Sequence, residues 1–209
     1  QWKTSVSRWN VLYKAIARAN KIVNALDKGS ASGLREAKVN QYKGEAYFML
    51  GFAYGELTAY YGDCILNNNM SLNEAYHAAR SPKEKVLEYA YECFDKAIEY
   101  LPATITGQLR PTKGAALGFK ARFALFHQDW QTAADAAKQC MDLNVYELHD
   151  NYLDLFKADK SKELMFYFKG NLALKKGFGL FTDIRNTIIR KVSGTAGKSP
   201  SLELLCAYT

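Results

Sequence analysis

Residues 40–63 constrain the fold of this chain more than any other stretch. From residue 46 to residue 61 the only charged side chain is Glu56. Apolar residues recur there at helical spacing, and Phe48 and Phe52 extend the apolar surface to a second face of the helix. The stretch is too short and too rich in Gly and Tyr to span a bilayer, which takes about 20 apolar residues. Because a helix that is apolar nearly all round is buried, this one is predicted to be the centre of the fold.

The same helix contains three glycines, Gly44, Gly51 and Gly55. Each glycine costs roughly 1 kcal/mol relative to alanine in a helix interior, so three of them favour close approach of neighbouring helices. The order Leu50-Gly51-x-x-Tyr54 is also typical of the first helix of a tetratricopeptide repeat.

The second helix of such a repeat is recognisable downstream, in residues 82–102. Ala90, Phe94, Ala97 and Pro102 give the pattern A-x3-F-x2-A-x4-P that follows the first helix in this repeat. Between the two halves lies an insertion of about 27 residues relative to a standard repeat of about 34. The sequence therefore predicts an all-α fold, a tetratricopeptide-like right-handed helical repeat. An ordinary helical bundle with the same pattern is the alternative.

A further helix is predicted over residues 4–27, ahead of the central one. Its inward stripe comprises Trp9, Leu12, Tyr13, Ile16, Ala19, Ile22, Val23 and Leu26. The polar segment 64–81 is the insertion inside the first repeat. Insertions in helical repeats often lie on the binding face, and a passive connection is the alternative.

Start signals mark the later helices. Ser81 and Glu84 predict a capping box at the start of the 82–102 helix. Thr112 opens the next helix, and Asp129 caps the last one, over residues 130–143. The inward residues predicted for this last helix are Trp130, Ala133, Ala137 and Cys140.

The pattern changes after residue 143. Residues 163–168 are apolar and aromatic, which indicates a strand or an extended segment, and residues 201–208 indicate a short helix. We therefore predict a tetratricopeptide-like helical domain over residues 1–143 and an irregular segment over residues 144–209.

Composition excludes several classes of function. The net charge is +7, but no basic run with interleaved aromatic residues is present, so no nucleic-acid partner is predicted. The four cysteines are isolated and form no C-x-x-C pair, which argues against a zinc or redox motif. Cys93 and Cys140 fall at core positions of helices and are predicted to fill the core, although the sequence leaves a disulfide open.

No catalytic arrangement is present in the sequence. The three histidines lie far apart and have no partner four residues away, so no metal site is predicted. No nucleophile elbow, phosphate loop or dinucleotide fingerprint occurs, so we predict no catalytic residues and no cofactor. Glu56 is the one carboxylate in an apolar segment, and we expect it to satisfy a neighbouring side chain or helix end rather than to act chemically. The sequence favours binding over catalysis.

Six stretches, in this order, carry a resemblance to a known family. They are W-x3-Y-x2-I-x3-N from Trp9 to Asn20, E-A…Y-G-D from Glu45 to Asp63, R-P-T-K from Arg110 to Lys113, D-W-x2-A from Asp129 to Ala133, the segment from Tyr146 to Phe166, and P-S-L-E-L…A-Y from Pro200 to Tyr208. Together they resemble the helical portion of the SusD/RagB family of outer-membrane nutrient-binding lipoproteins of Bacteroidetes. Two places depart from the family pattern, residues 48–50 and Cys64, and these leave the ligand open.

The resemblance implies a role without catalysis. Such proteins bind an oligosaccharide, or in some members a peptide, at the outer surface of the outer membrane. They deliver it to a TonB-dependent SusC-like transporter, and an N-terminal lipid that is not part of this chain anchors them. Family members are longer, so residues 144–209 would lead toward the ligand-binding half. A tetratricopeptide scaffold that binds a protein or peptide partner is the alternative.

One residue is predicted to contact the ligand. Trp2 precedes the Trp9 helix, lies off its inward stripe, and stands near the position where the family's prototype carries ligand-stacking aromatic residues. An ordinary packed or exposed tryptophan is the competing interpretation.

Overall fold

The computed structural model describes residues 2–29, 33–67, 77–104, 110–150 and 162–166, with side chains described from Arg8 onward. These residues form five α-helices, α1 (Trp2–Asp27), α2 (Glu36–Tyr61), α3 (Lys83–Tyr100), α4 (Lys113–Phe126) and α5 (Trp130–Asp142). The chain divides into two compact units, Gln1–Tyr167 and Phe168–Thr209, and all described residues lie in the first. Helices α2 and α3, and then α4 and α5, form successive antiparallel pairs, so the predicted all-α helical repeat is confirmed.

Helix α2 is the centre of the unit, as its sequence predicts. It packs against α1, α3 and α4, and Phe48, Tyr54 and Leu57 are fully buried. Its glycines allow close approach of the neighbouring helices. Gly51 lies against the ring of Phe94 on α3, where a Cβ atom would come within 3.0 Å of the ring.

Two adjoining cores hold the helices together. The first joins α1, α2 and α3 and includes Ile16, Leu50 and Val86. The second joins α2, α3 and α4 through aromatic rings, and Phe48 lies 5.6 Å from Phe119 between ring centroids. Because α2 contributes to both cores, the successive helix pairs cannot separate without exposing its aromatic side chains.

Of the two predicted caps, that of Asp129 is confirmed and the capping box of Ser81 and Glu84 is wrong. Thr112 accepts a hydrogen bond from the Ala115 amide, and Asp129 accepts one from the Thr132 amide. The capping box of Ser81 and Glu84 does not form, because α3 begins at Lys83 with Pro82 at the cap position.

Another carboxylate takes over the function of that cap. The Lys83 amide donates to Asp63 Oδ1 at 2.9 Å. Ser81 instead pairs with Cys64 through two backbone hydrogen bonds of 3.2 and 2.8 Å, in an isolated antiparallel bridge. This bridge holds the two ends of the 64–81 connection together.

Three residues assigned to inward stripes point outward instead. Ile22 is 45% exposed, because α1 has only α2 as a helical neighbour among the described elements and Ile22 lies about 100° round the helix from Val23. On α5 the buried positions are Ala133 and Ala136, with Cys140 half-buried. Ala137 follows Ala136 directly and is exposed, because it faces away from the buried side of α5. Trp130 is 63% exposed because it stands at the α4–α5 turn.

The segment after α5 returns across the helices. The ring of Tyr146 covers Gly114 on α4, and its hydroxyl lies 2.7 Å from Thr112 Oγ1. Of the predicted extended segment 163–168, residues 163–166 are described and form neither a helix nor a strand, and Phe166 packs 5.3 Å from Phe48. The predicted helix over 201–208 lies outside the described residues, and the boundary at residue 143 stays a prediction.

The described cysteines are free thiols. Cys64 and Cys93 are buried and Cys140 is half-buried, so the core role predicted for Cys93 is confirmed. Within the described ranges, no helix is both long enough and apolar enough to cross a bilayer.

Candidate functional site

Trp2, the predicted ligand contact, is the first residue of α1 rather than a residue that precedes the helix. The helix therefore starts earlier than residue 4. It places Trp2 about two helical turns before Trp9. The side chain of Trp2 is outside the described part of the chain, so its role as a ligand contact stays a prediction.

The described residues next to this position form what we name the aromatic end cluster, which consists of Trp9, Tyr13, Tyr60 and Tyr61 with Arg8 and Arg80. It lies where the first half of α1 meets the end of α2, because the two helices are antiparallel. The Trp9 ring lies 4.8 Å from that of Tyr13 and 5.0 Å from that of Tyr61, the latter edge to face. Three aromatic side chains from two helices thus share one contact surface.

Two guanidinium groups lie over the rings of this cluster. Arg8 stands 4.1 Å from the centroid of Tyr60, and Arg80 stands 5.3 Å from that of Trp9. Both distances are within the range of cation–π attraction. Tyr60 is 61% exposed, so the cluster presents aromatic and cationic groups to solvent together.

Glu56 adds one negative charge at the edge of the cluster. Its carboxylate lies 3.5 Å from the Arg8 guanidinium. This contact agrees with the structural role predicted for Glu56. The other cation of the cluster, Arg80, has no carboxylate within ion-pair distance among the described residues.

The start of the 64–81 connection is bound to the same region. The Tyr13 hydroxyl donates to the Ile65 carbonyl at 3.0 Å and accepts from the Ile65 amide at 2.8 Å. Asn20 donates to the Asn67 carbonyl, and the Asn67 amide donates to the Tyr54 hydroxyl at 2.9 Å. Burial raises the pKa of both tyrosines, so their hydroxyls stay protonated at neutral pH. The connection therefore starts from a fixed position beside the cluster.

Histidine, which often takes part in catalysis, makes a structural contact in this region. His127 lies 3.2 Å from Thr58 Oγ1, and burial lowers its pKa, which favours the neutral ring. Over the described ranges, no group of three His, Cys, Asp or Glu side chains is close enough to hold a metal ion.

No sequence motif indicated Arg80 or Tyr60 as a candidate residue. Arg80 belongs to no motif, and it reaches Trp9 only because the Cys64–Ser81 bridge brings the end of the connection back to its start. A sequence signal was available for Tyr60, since two adjacent tyrosines at the end of a buried helix place at least one ring outside.

Comparisons with known proteins agree on one family. The model of a SusD-like family, described as starch-binding and associating with the outer membrane, matches residues 1–125. A SusD-like protein P2 from Formosa agariphila is 26% identical over 162 residues, which is 75% of this chain and 31% of that protein.

Solved structures share the fold. A SusD superfamily protein from Bacteroides thetaiotaomicron matches 81% of this chain and 40% of its own, with a TM-score of 0.72 and 22% identity. A protein crystallised with a xylogluco-oligosaccharide matches 78% of this chain and 34% of its own, with a TM-score of 0.64 and 21% identity. The chain spans about a third of the length of the Formosa relative.

Proposed function

The chain belongs to the SusD-like family, and on that premise we propose that it is a non-catalytic protein that binds an oligosaccharide at the outer membrane. The observation that carries the proposal is the match of the starch-binding, outer-membrane-associated family to residues 1–125. The shared fold with a protein crystallised with a xylogluco-oligosaccharide supports it. We propose that the bound sugar is handed to a TonB-dependent SusC-like transporter, and that an N-terminal lipid holds the protein at the outer surface of the membrane.

The helical repeat suits a bracing role in this function. Its cores are filled by aromatic side chains, and α2 is buried on several sides. A scaffold that binds a partner's peptide would need an open groove between its first helices. Phe48 and Phe52 point from α2 toward α4 and pack there against Phe119. The glycan-binding function is therefore better supported than the peptide scaffold.

Trp2 is our proposed ligand contact. Tryptophan rings stack on the apolar faces of sugar rings, while a few polar groups fix the orientation of a ligand in its site. Trp2 lies at the end of α1 that carries the aromatic end cluster. A sugar stacked on Trp2 would therefore lie at the end of α1 that carries this cluster.

The test is calorimetric titration of the purified protein with a panel of oligosaccharides that includes xylogluco-oligosaccharide. Trp2→Ala is compared with Trp130→Ala, which removes an exposed tryptophan from α5. We expect binding to weaken at least tenfold in Trp2→Ala and to be unchanged in Trp130→Ala. Equal affinity in all three proteins would remove Trp2 from the site.

A second experiment addresses the partner and the location. The tagged protein is isolated from membranes of the native bacterium, and intact cells are treated with protease. We expect a TonB-dependent transporter to co-purify and the protein to be digested from outside. Failure to bind any sugar in the panel, combined with no co-purifying transporter, would refute the proposed function.

A further inference from the structure

Helices α2 and α4 are the first members of the two successive helix pairs, and they run parallel to each other. Phe48 lies 5.6 Å from Phe119, and Phe52, one turn further along α2, lies 6.4 Å from Phe123, one turn further along α4. Helix α3 packs against both of them. The contact line between α2 and α4, which we name the α2–α4 seam, therefore has one side that α3 covers and one side that faces away from α3.

The segment after α5 lies on the side that faces away from α3. On α4, Lys120 marks the side of α3, because its ammonium lies 2.6 Å from Asp95 Oδ1. Gly118 precedes Lys120 by two residues, which is about 200° round the helix. A Cβ atom at Gly118 would lie 2.9 Å from the Cε methyl of Met165. Met165 therefore covers the side of α4 opposite α3.

Two glycines on α4 make room for this segment. Gly114 and Gly118 are one turn apart, so they lie on the same side of the helix. The ring of Tyr146 covers Gly114, and the tip of Met165 covers Gly118. A side chain at Gly114 would collide with the Tyr146 ring. The bare backbone of α4 thus provides a track on which another part of the chain can lie.

The ring of Phe166 enters the seam between the two helices. It lies 5.3 Å from the ring of Phe48 and 6.3 Å from that of Phe119, both edge to face, which is a favourable arrangement for aromatic rings. Phe48 is fully buried. Phe166 packs against the core to which Phe48 belongs, although residues 163–166 form neither a helix nor a strand. A non-helical segment thus supplies one aromatic side chain to a groove between two helices.

Polar contacts join residues 146–150 to residues 162–166. The Lys162 ammonium lies 2.8 Å from Glu147 Oε2, and both side chains are about two-thirds exposed. Exposed ion pairs contribute little to stability in water. The attachment of residues 162–166 to the helices therefore depends mainly on their apolar side chains.

We propose that the α2–α4 seam is a binding groove for a non-helical peptide with an aromatic side chain, and that residues 162–166 are its intramolecular ligand. Helical repeat proteins bind partners along the surface that successive repeats share. A tethered ligand acts at an effective concentration of about millimolar, so this segment excludes a free peptide at lower concentration. The peptide-binding activity of the repeat is therefore autoinhibited. The inference does not depend on the proposed glycan binding, because no residue of the aromatic end cluster takes part.

The test releases the segment and supplies its sequence from outside. The double variant Met165→Ala, Phe166→Ala removes both apolar contacts and leaves the helices unchanged. A fluorescent peptide with the sequence of residues 161–169, SKELMFYFK, is titrated with this variant and with the unsubstituted protein, and fluorescence polarisation reports binding. We expect the peptide to bind the double variant at least about tenfold more tightly, because no tethered competitor remains. A peptide with alanine in place of Phe166 should bind neither protein.

Three controls separate the groove from general apolar attraction. Leu148→Ala removes an apolar side chain that is 87% exposed in the same segment, and this variant should bind the peptide as weakly as the unsubstituted protein. Phe166→Ala alone keeps Met165 on α4, so it should bind the peptide more weakly than the double variant. Circular dichroism should show the same helix content in all variants, because no substituted residue belongs to a helix.

Several results would overturn the inference. One is failure of the peptide to bind a double variant that keeps its helices. Another is equal binding of the alanine peptide, or equal binding to the unsubstituted protein, because either would place the peptide outside the groove. Loss of the helices in both the double variant and Phe166→Ala would also overturn it, since the segment would then be an inseparable part of the core. The proposed glycan binding is measured with sugars and would stand in each of these cases.

Discussion

Gly55 gives the sharpest test of the close packing around α2. A Cβ atom at this position would lie 2.6 Å from Cδ2 and from Cε2 of Phe123, about 1 Å inside the usual carbon contact of 3.5–4.0 Å. The Phe123 ring has little room to move, because it is buried and packs 6.1 Å from Phe94 and 6.2 Å from Phe119. The substitution Gly55→Ala therefore forces a core rearrangement.

The magnitude follows from two opposing terms. Overpacking of a core costs about 1–3 kcal/mol, and alanine recovers roughly 1 kcal/mol of helix propensity. The close contact places Gly55→Ala toward the upper part of this range, so we expect the free energy of unfolding to fall by about 1–2 kcal/mol. For a chain of this size the melting temperature should fall by about 2–8 °C.

The matched control is Gly118→Ala on α4. There the new Cβ would meet only the flexible tip of Met165, at 2.9 Å, which can turn away. The propensity gain should therefore dominate and raise the melting temperature by about 2–4 °C. Both variants are measured by thermal and urea unfolding followed by circular dichroism. A Gly55→Ala protein as stable as the unsubstituted one would refute the close-packing argument.

Two further predictions concern the cap of α3 and a buried thiol. Asp63→Ala should lower the free energy of unfolding by about 1 kcal/mol, because it leaves the Lys83 amide without its acceptor. Ser81→Ala should change the free energy of unfolding by less than about 0.5 kcal/mol in urea unfolding. A larger loss of stability in Ser81→Ala than in Asp63→Ala would support the capping box instead. Burial raises the pKa of Cys93 from about 9 to about 12, so the folded state holds its proton more tightly than the unfolded state. Its contribution to stability is complete below pH 9 and is lost as the pH rises toward 12. At pH 8 Cys93 should therefore react with iodoacetamide far more slowly than the half-buried Cys140, as measured by mass spectrometry, and equal rates would contradict its burial.

The residues that identify the family in the sequence turn out to build the fold. Glu45 forms an ion pair with Arg110 at 2.8 Å, which joins two of the recognised stretches. Asp63 caps α3, and Asp129 caps α5. Each of these side chains makes a contact that holds the helices in place, and their order in the sequence was sufficient to predict the family.

The aromatic end cluster was harder to predict than the helices. Arg80 and Tyr60 lie outside the recognised stretches. Their proximity to Arg8 and Trp9 depends on how α1 packs on α2 and on where the long connection ends. Helical periodicity also misplaced Ile22 and Trp130, because it describes a continuous inward stripe and takes no account of where neighbouring helices stop. Local patterns thus predict elements, whereas a surface shared by three segments requires the tertiary structure.

The Cys64–Ser81 bridge has a consequence for how this scaffold can change. Cys64 and Ser81 exchange backbone hydrogen bonds, so the two ends of the chain between them are held together. Lengthening a closed loop costs only about 0.6 kcal/mol for each doubling of its length. Insertions here would therefore leave the helices undisturbed, so this loop can diversify while the scaffold is retained. It is the place on this molecule to graft a foreign peptide or a new recognition sequence.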